Sequence, residues 1–186
     1  MVDLNKFQRV TQRIRVPLGF IFFIFYMIFS RPTWRSLLLG AAIAAIGVAM
    51  RAWASGHLRK NESLAMGGPY AYTRNPLYLG TTLIGVGFSI CGGNIWLVIG
   101  AIAFFLLIYV PVMLTERYVV GKLFPNEYPE YARHVPMFLP RLTPYRVTDQ
   151  RNRFDHKLYL RYREYRAALG FLGAIVLLIA KIYWSH

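Results

Sequence analysis

The sequence has little cysteine, little charge and few acidic residues. Cys91 is the single cysteine among 186 residues, which excludes a disulfide scaffold. Only 16% of the residues are charged, against about 25% in ordinary globular chains, and 56% are hydrophobic. This much apolar surface excludes a disordered chain. Because the apolar runs are long, the composition predicts a membrane protein rather than a water-soluble globule.

Ionisable and metal-binding groups are missing where several function classes need them. Glu116 is the only acidic residue that touches an apolar stretch, and it lies at one end. Ion-coupled transporters and pumps usually carry ionisable groups at mid-membrane, so a carrier or channel is disfavoured. The four histidines show no metal-ligand spacing, and we expect no metal site. Neither a Ser/His/Asp grouping nor a glycine-rich phosphate loop is evident.

Five apolar stretches predict an all-α integral membrane protein with about five transmembrane helices, in a single membrane domain over residues 1–186. The stretches are residues 16–30, 36–54, 77–91, 95–115 and 167–184. The first is short for a span, since 15 residues of helix rise only about 22 Å. Lys181 lies near the end of the fifth stretch, where we expect its side chain to snorkel towards the interface.

Small side chains in the second stretch predict close helix packing. They are Gly40, Ala41, Ala44, Ala45 and Gly47. Cys91, at the end of the third stretch, is expected to be a buried small apolar residue rather than a nucleophile. Both interpretations are structural.

The formal charge of +14 is distributed in a way that favours a membrane over nucleic acid. With five spans, 19 of the 22 Lys and Arg fall on one side, in residues 1–15, 51–74 and 117–166. Positive charge marks the cytoplasmic side, so we expect a cytoplasmic N-terminus and an external C-terminus. The membrane would be the plasma membrane in a prokaryote and the endoplasmic reticulum in a eukaryote. Part of the basic excess is expected to bind anionic lipid headgroups, and no nucleic-acid partner is expected.

The loop before the third stretch contains the sequence Arg74-Asn75-Pro76. Asn is a good N-cap and Pro is favoured at the first helical position, so a helix is predicted to start here. A helix N-terminus at the membrane face, with an arginine beside it, suits an anionic ligand. The alternative is a capped span with a snorkelling arginine.

The basic segment after the fourth stretch has two parts. Apolar residues from Glu116 to Phe124 have helical spacing, which predicts an interfacial extension of the fourth helix that Pro125 ends. The run from Val135 to Arg141 is too rich in proline for a helix. We interpret it as a lid over a pocket, and the alternative is an interfacial loop that packs on headgroups.

These motifs resemble those of the isoprenylcysteine carboxyl methyltransferase and phospholipid methyltransferase superfamily. Residues 74–80, RNPLYLG, are similar to its Arg-His-Pro-x-Tyr-x-Gly motif, and Glu116-Arg117-Tyr118 resembles its Glu-Glu-x-Tyr element. Residues 123–141 resemble its closing stretch of tyrosines, Val-Pro and Pro. The resemblance covers a catalytic core of about residues 56–141.

The resemblance implies a methyltransferase that uses S-adenosylmethionine (SAM) at the cytoplasmic membrane face. The methyl acceptor would be embedded in the bilayer or attached to a lipid. The residues that the resemblance assigns to cofactor binding are Arg74, Asn75, Pro76, Tyr78, Gly80, Glu116 and Tyr131. Glu116 and Arg141 are the implied catalytic residues, with Arg141 orienting an acidic acceptor or headgroup.

The sequence departs from the family pattern at two positions. Asn75 stands where the family has His, so no base is assigned there, and Thr115 stands where it has the first Glu. Two other functions therefore stay open. One is an NADPH-dependent membrane reductase of the sterol or enone type, whose C-terminal half is similar. The other is a lipid-binding protein without catalytic activity.

Overall fold

A computed structural model describes residues 19–146 and 153–184, and every described element is helical. The helices are α1 (Gly19–Phe29), α2 (Trp34–Ser55), α3 (Pro76–Cys91), α4 (Ile95–Phe104), α5 (Val110–Leu123), α6 (Tyr128–His134), α7 (His156–Arg161) and α8 (Tyr165–Trp184). A 3-10 turn covers Gly68–Ala71, and a π-helical segment, Phe105–Tyr109, joins α4 to α5. The all-α class is confirmed.

Within residues 19–146 and 153–184, three helices are long and apolar enough to cross a membrane: α2, the continuous helix Ile95–Leu123, and α8. Helices α1 and α3 are apolar but shorter, so the count of five spans remains a prediction. Large apolar side chains point outwards on these helices; Leu38 is 70% exposed and Leu107 is 73% exposed. Such a surface suits lipid rather than water. Residues 1–18, with the start of the first predicted stretch and the basic N-terminal segment, lie outside the described residues.

Local sequence explains where the helices begin and bend. Thr33 and Ser36 form a reciprocal capping box at the start of α2. The π-helical segment precedes Pro111, which lacks an N–H group and whose ring clashes with a regular helical turn before it. The helix nevertheless continues to Leu123 and stops before Pro125, so the predicted helical extension is confirmed.

Helices α2 and α3 pack most closely, and glycine makes this possible. A Cβ atom added to Gly47 would lie 2.6 Å from the Gly80 carbonyl oxygen, and one added to Gly87 would lie 2.6 Å from the Gly40 carbonyl oxygen. Ala44 is fully buried against Gly87. Gly40, Ala44 and Gly47 therefore form a helix interface, as predicted, whereas Ala45 is exposed. Cys91 is buried at the end of this interface, also as predicted.

The C-terminal segment is tied to α2 by an ion pair and to the end of α1 by a lysine. Arg51 of α2 and Glu164, just before α8, form a bidentate ion pair at 2.7 and 3.0 Å. Lys181 of α8 donates to the Met27 carbonyl and to Ser30 Oγ at 2.8 Å. Its ammonium group therefore binds the C-terminal end of α1, and the snorkelling of Lys181 towards the interface stays a prediction.

We predict that Gly47→Ala destabilises the protein by about 1–3 kcal/mol, because the new methyl group forces α2 away from α3. Thermal unfolding in detergent measures the effect. Gly85→Ala is the matched control on α3, since nothing lies within 4 Å of a Cβ atom at that position. It should be neutral or stabilising by up to about 1 kcal/mol. Equal melting temperatures for the two variants would contradict this packing.

We predict that Glu164→Gln lowers the free energy of unfolding by about 1–2 kcal/mol, because Arg51 loses its charged partner in a half-buried site. The side chains of this pair are 25% and 13% exposed. Glu62→Gln is the control, because Glu62 faces Arg161 at 4.0 Å on the surface. Its change should stay within about 0.5 kcal/mol. A Glu164 variant as stable as this control would show that the ion pair does not hold the segment.

Candidate active site

The start of α3 holds the first part of the candidate site. Pro76 is the first residue of the helix, as predicted, and it is buried. Asn75 occupies the N-cap position, as predicted, but its side chain makes no capping hydrogen bond. Its Nδ2 atom donates instead to the Met137 carbonyl at 2.8 Å. The amide therefore holds the proline-rich segment against the start of α3.

A hydrogen bond between Tyr78 and Glu116 joins the two motifs that lie 38 residues apart. Tyr78 Oη donates to Glu116 Oε1 at 2.8 Å. The Tyr78 ring also meets the Tyr109 ring edge-on, with centroids 5.6 Å apart. Glu116 remains exposed beyond this contact, so its carboxylate is accessible to a ligand.

Arg74 lies two residues before α3, and its charge is only partly satisfied. Its Nη1 atom donates to Tyr128 Oη at 3.0 Å, and the guanidinium lies 5.8 Å from the centre of that ring. Its Nε atom is buried and has no hydrogen-bond partner among the described residues. A buried N–H group without an acceptor is costly, and an anionic ligand would satisfy it.

The proline-rich segment lies antiparallel to the loop before α3. Arg74 N donates to the Pro136 carbonyl at 3.0 Å, and Thr73 Oγ1 donates to the Phe138 carbonyl at 2.8 Å. Further along, Tyr145 N donates to the Ala71 carbonyl at 2.9 Å. These bonds place the segment beside the start of α3, which is the placement that the lid hypothesis requires.

Two further candidate residues, Tyr131 in α6 and Arg141 in the proline-rich segment, bond to backbone carbonyls of the protein. Tyr131 is 2% exposed, and its hydroxyl donates to the Tyr70 carbonyl at 2.8 Å. Arg141 Nη1 donates to the His134 carbonyl at 2.9 Å, at the C-terminal end of α6. The structure does not bring either side chain to the Tyr78–Glu116 pair through any described hydrogen bond. The sequence predicted that both side chains contact a ligand, whereas the contacts described for them are with other residues of the protein.

Gly80 faces α2 rather than an open space. A Cβ atom there would lie 2.7 Å from Cγ of Arg51. Arg51 Nη1 in turn donates to Thr81 Oγ1, so the arginine spans from α3 to Glu164. Sequence reasoning missed this polar cluster. The available signal was a charged residue inside an apolar helix, which requires a partner.

Tyr70 lies where the turn, the two motifs and the C-terminal segment meet. Burial raises its pKa well above the usual range for a phenol, and the neighbouring Tyr131 and Glu116 raise it further. Arg51 acts in the opposite direction. Burial likewise raises the pKa of Tyr131. Both phenols therefore stay neutral at physiological pH, as hydrogen-bonding groups rather than bases.

The arrangement offers a guanidinium, an accessible carboxylate and neutral hydroxyl and amide groups beside one helix start. Such a set suits a zwitterionic ligand that also carries hydroxyl groups. In residues 19–146 and 153–184, no group of three His, Cys, Asp or Glu side chains is placed to hold a metal ion. An apolar cavity of about 330 Å³ lies between α1, α3 and α8, and none of the candidate residues lines it.

Comparisons with known proteins identify the family. A profile of the phospholipid methyltransferase family matches residues 34–127, just over half of the chain. The match includes residues 74–80 and Glu116, whereas Tyr131, Arg141 and Glu164 lie beyond it. No solved structure matches the chain.

Two curated bacterial proteins are similar over 111 residues, or 59% of this chain. The cobalt-zinc-cadmium resistance protein CzcN of Cupriavidus metallidurans is 35% identical, and the nickel-cobalt-cadmium resistance protein NccN of Alcaligenes xylosoxydans xylosoxydans is 33% identical. The chain spans 50% of the length of each. Together with the profile match and the paired motifs, these similarities show that the chain belongs to the phospholipid methyltransferase family.

Proposed function

We propose that the protein is a SAM-dependent methyltransferase that acts at the cytoplasmic membrane face on a lipid-embedded or lipidated acceptor. The observation that carries this proposal is the 2.8 Å hydrogen bond between Tyr78 and Glu116, because it joins the two motifs of a methyltransferase family at one helix start. The proposal includes the localisation expected from the sequence, which is the plasma membrane in a prokaryote and the endoplasmic reticulum in a eukaryote.

The charged groups of the site fit SAM, whose amino-acid end carries a carboxylate and an ammonium group. Arg74 would hold the carboxylate, since its buried Nε lacks an acceptor among the described residues. Glu116 would bind the ammonium group or the ribose hydroxyls through its exposed carboxylate. Tyr78 fixes that carboxylate, and Pro76 fixes the helix start from which Tyr78 projects. When bound, SAM supplies a methyl group activated on a sulfonium.

The chain itself contributes position and shielding rather than proton transfer. Methyl transfer from a sulfonium is an in-line displacement, which depends on a positioned acceptor and a dry site. Asn75 cannot act as a base, and its amide secures the proline-rich cover through Met137. Arg141 and Tyr131 stabilise the same cover through His134 and Tyr70. We therefore assign positioning roles to these two residues, instead of contact with the cofactor for Tyr131 and with the acceptor for Arg141.

The names of the two relatives favour a second, broader role in metal tolerance. Both are called resistance proteins against cobalt and cadmium, among other metals. Methylation of a membrane component would alter the surface that such cations meet. This role adds a physiological setting to the proposed reaction and requires no metal site in the chain.

We predict that Glu116→Gln reduces methyl transfer from radiolabelled SAM into a lipid extract by at least about tenfold, because a charged hydrogen-bond acceptor is lost from the site. Purified protein in detergent, supplied with total membrane lipids, gives the readout. Glu127→Gln, a nearby exposed acid on the segment after α5, is the matched control and should retain full transfer. Equal transfer by the two variants would contradict the assignment of Glu116.

Metal tolerance is tested in a cobalt-sensitive bacterial host that expresses the chain. We expect wild-type protein to raise the cobalt concentration that stops growth, and Glu116→Gln, at equal abundance, to have no effect. If the Glu116→Gln variant protected the host as strongly as wild type, cobalt tolerance would not depend on methyl transfer.

A further inference from the structure

A basic and aromatic groove lies along α5, beside the candidate site, which it meets at the Arg74–Tyr128 hydrogen bond. It is an open surface groove of about 510 Å³, and its lining residues are Leu114, Arg117, Tyr118, Gly121, Lys122 and Tyr128. The five α5 residues follow the spacing of one helix face. Tyr128 of α6 forms the facing wall.

The two cations of the groove lack acidic partners. No carboxylate in the described parts of the chain lies within 4.0 Å of the charged groups of Arg117 or Lys122. Lys122 Nζ instead lies 4.4 Å from the centre of the Tyr118 ring, which orients it over the aromatic face. Both residues are exposed, so their charge is available to a ligand.

The aromatic wall opposite α5 is held in place by its neighbours. A Cβ atom at Gly121 would lie 3.3 Å from Tyr128 Cδ1, so the glycine lets the ring seat against the helix. The Tyr128 hydroxyl accepts a hydrogen bond from Arg74 at 3.0 Å. The guanidinium group of Arg74 therefore adds a third positive charge next to the groove.

The groove sits where an apolar helix becomes charged. The first part of the helix Ile95–Leu123 is apolar. Exposed Leu114 is the last large apolar residue before Glu116 and Arg117. Phospholipid phosphates occupy this depth in a bilayer, just outside the hydrocarbon. The last turn of α5 exposes carbonyl groups that repel anions, so recognition must come from the side chains and from added apolar contact.

We infer that this groove binds the phosphate of a membrane phospholipid, with Arg117 and Lys122 on the phosphate and Leu114 against the start of its acyl chain. Two screened surface cations alone bind inorganic phosphate weakly, and apolar contact supplies the remaining affinity. The lipid need not be the methyl acceptor. A test of phospholipid binding in the groove therefore does not depend on whether the protein transfers methyl groups.

Calorimetry on the full chain in a neutral detergent tests this site with three probes. Dioctanoyl phosphatidylglycerol presents phosphate and chains, dioctanoylglycerol presents chains only, and inorganic phosphate presents the anion only. We expect phosphatidylglycerol to bind at least about tenfold more tightly than either of the others. Equal binding of dioctanoylglycerol, or of inorganic phosphate, would overturn the inference.

The variant Arg117→Gln/Lys122→Gln should weaken phosphatidylglycerol binding by at least about tenfold. Arg153→Gln/Lys157→Gln removes the same charge from another exposed basic stretch and should leave binding unchanged. Equal weakening by both double variants would show only general attraction to anions. Circular dichroism checks folding, and binding of S-adenosylhomocysteine, measured in parallel, reports on the methyltransferase site independently.

Discussion

The close contact between α2 and α3 is the constraint on which the rest of the structure depends. Glycine and alanine let the two backbones meet along most of the length of α3, with Gly47 against Gly80 and Gly40 against Gly87. This contact fixes the position of α3 against α2. It also sets Arg51 beside Thr81, from which the arginine reaches Glu164 and ties down the C-terminal segment.

The candidate site forms at the end of this packed pair, where three chain segments converge. The start of α3 supplies Arg74 and Tyr78, α5 supplies Glu116, and the proline-rich segment closes over the same end through Asn75. The buried phenols of Tyr70 and Tyr131 lie next to these segments. They are neutral because burial raises the pKa of both groups.

Much of this architecture is predictable from sequence because apolar length and proline act locally. The helix start at Pro76, the end of α5 before Pro125 and the small-residue interface of α2 all follow from nearby residues. Side-chain partners are set by tertiary structure, so they are harder to predict. Asn75 and Lys181 show this, since each donates a hydrogen bond to a carbonyl group that is distant in sequence.

The site was predictable as a pair of motifs but not as a set of contacts. The spacing of residues 74–80 and Glu116 placed both at one membrane face, and the Tyr78–Glu116 hydrogen bond joins them. Tyr131 and Arg141 were expected on a ligand because the motif places them nearby. Their bonds to Tyr70 and His134 depend on the path of α6 and the segment after it, which local sequence does not determine.

Calorimetry on the wild-type protein, with SAM, S-adenosylhomocysteine and NADPH in parallel, tests the central claim most directly. The account predicts that both adenosyl compounds bind and that NADPH does not. Binding of NADPH alone would make the protein a reductase. Failure of all three to bind folded protein would contradict the assignment of Arg74, Tyr78 and Glu116 to a cofactor site and favour a non-catalytic lipid-binding protein.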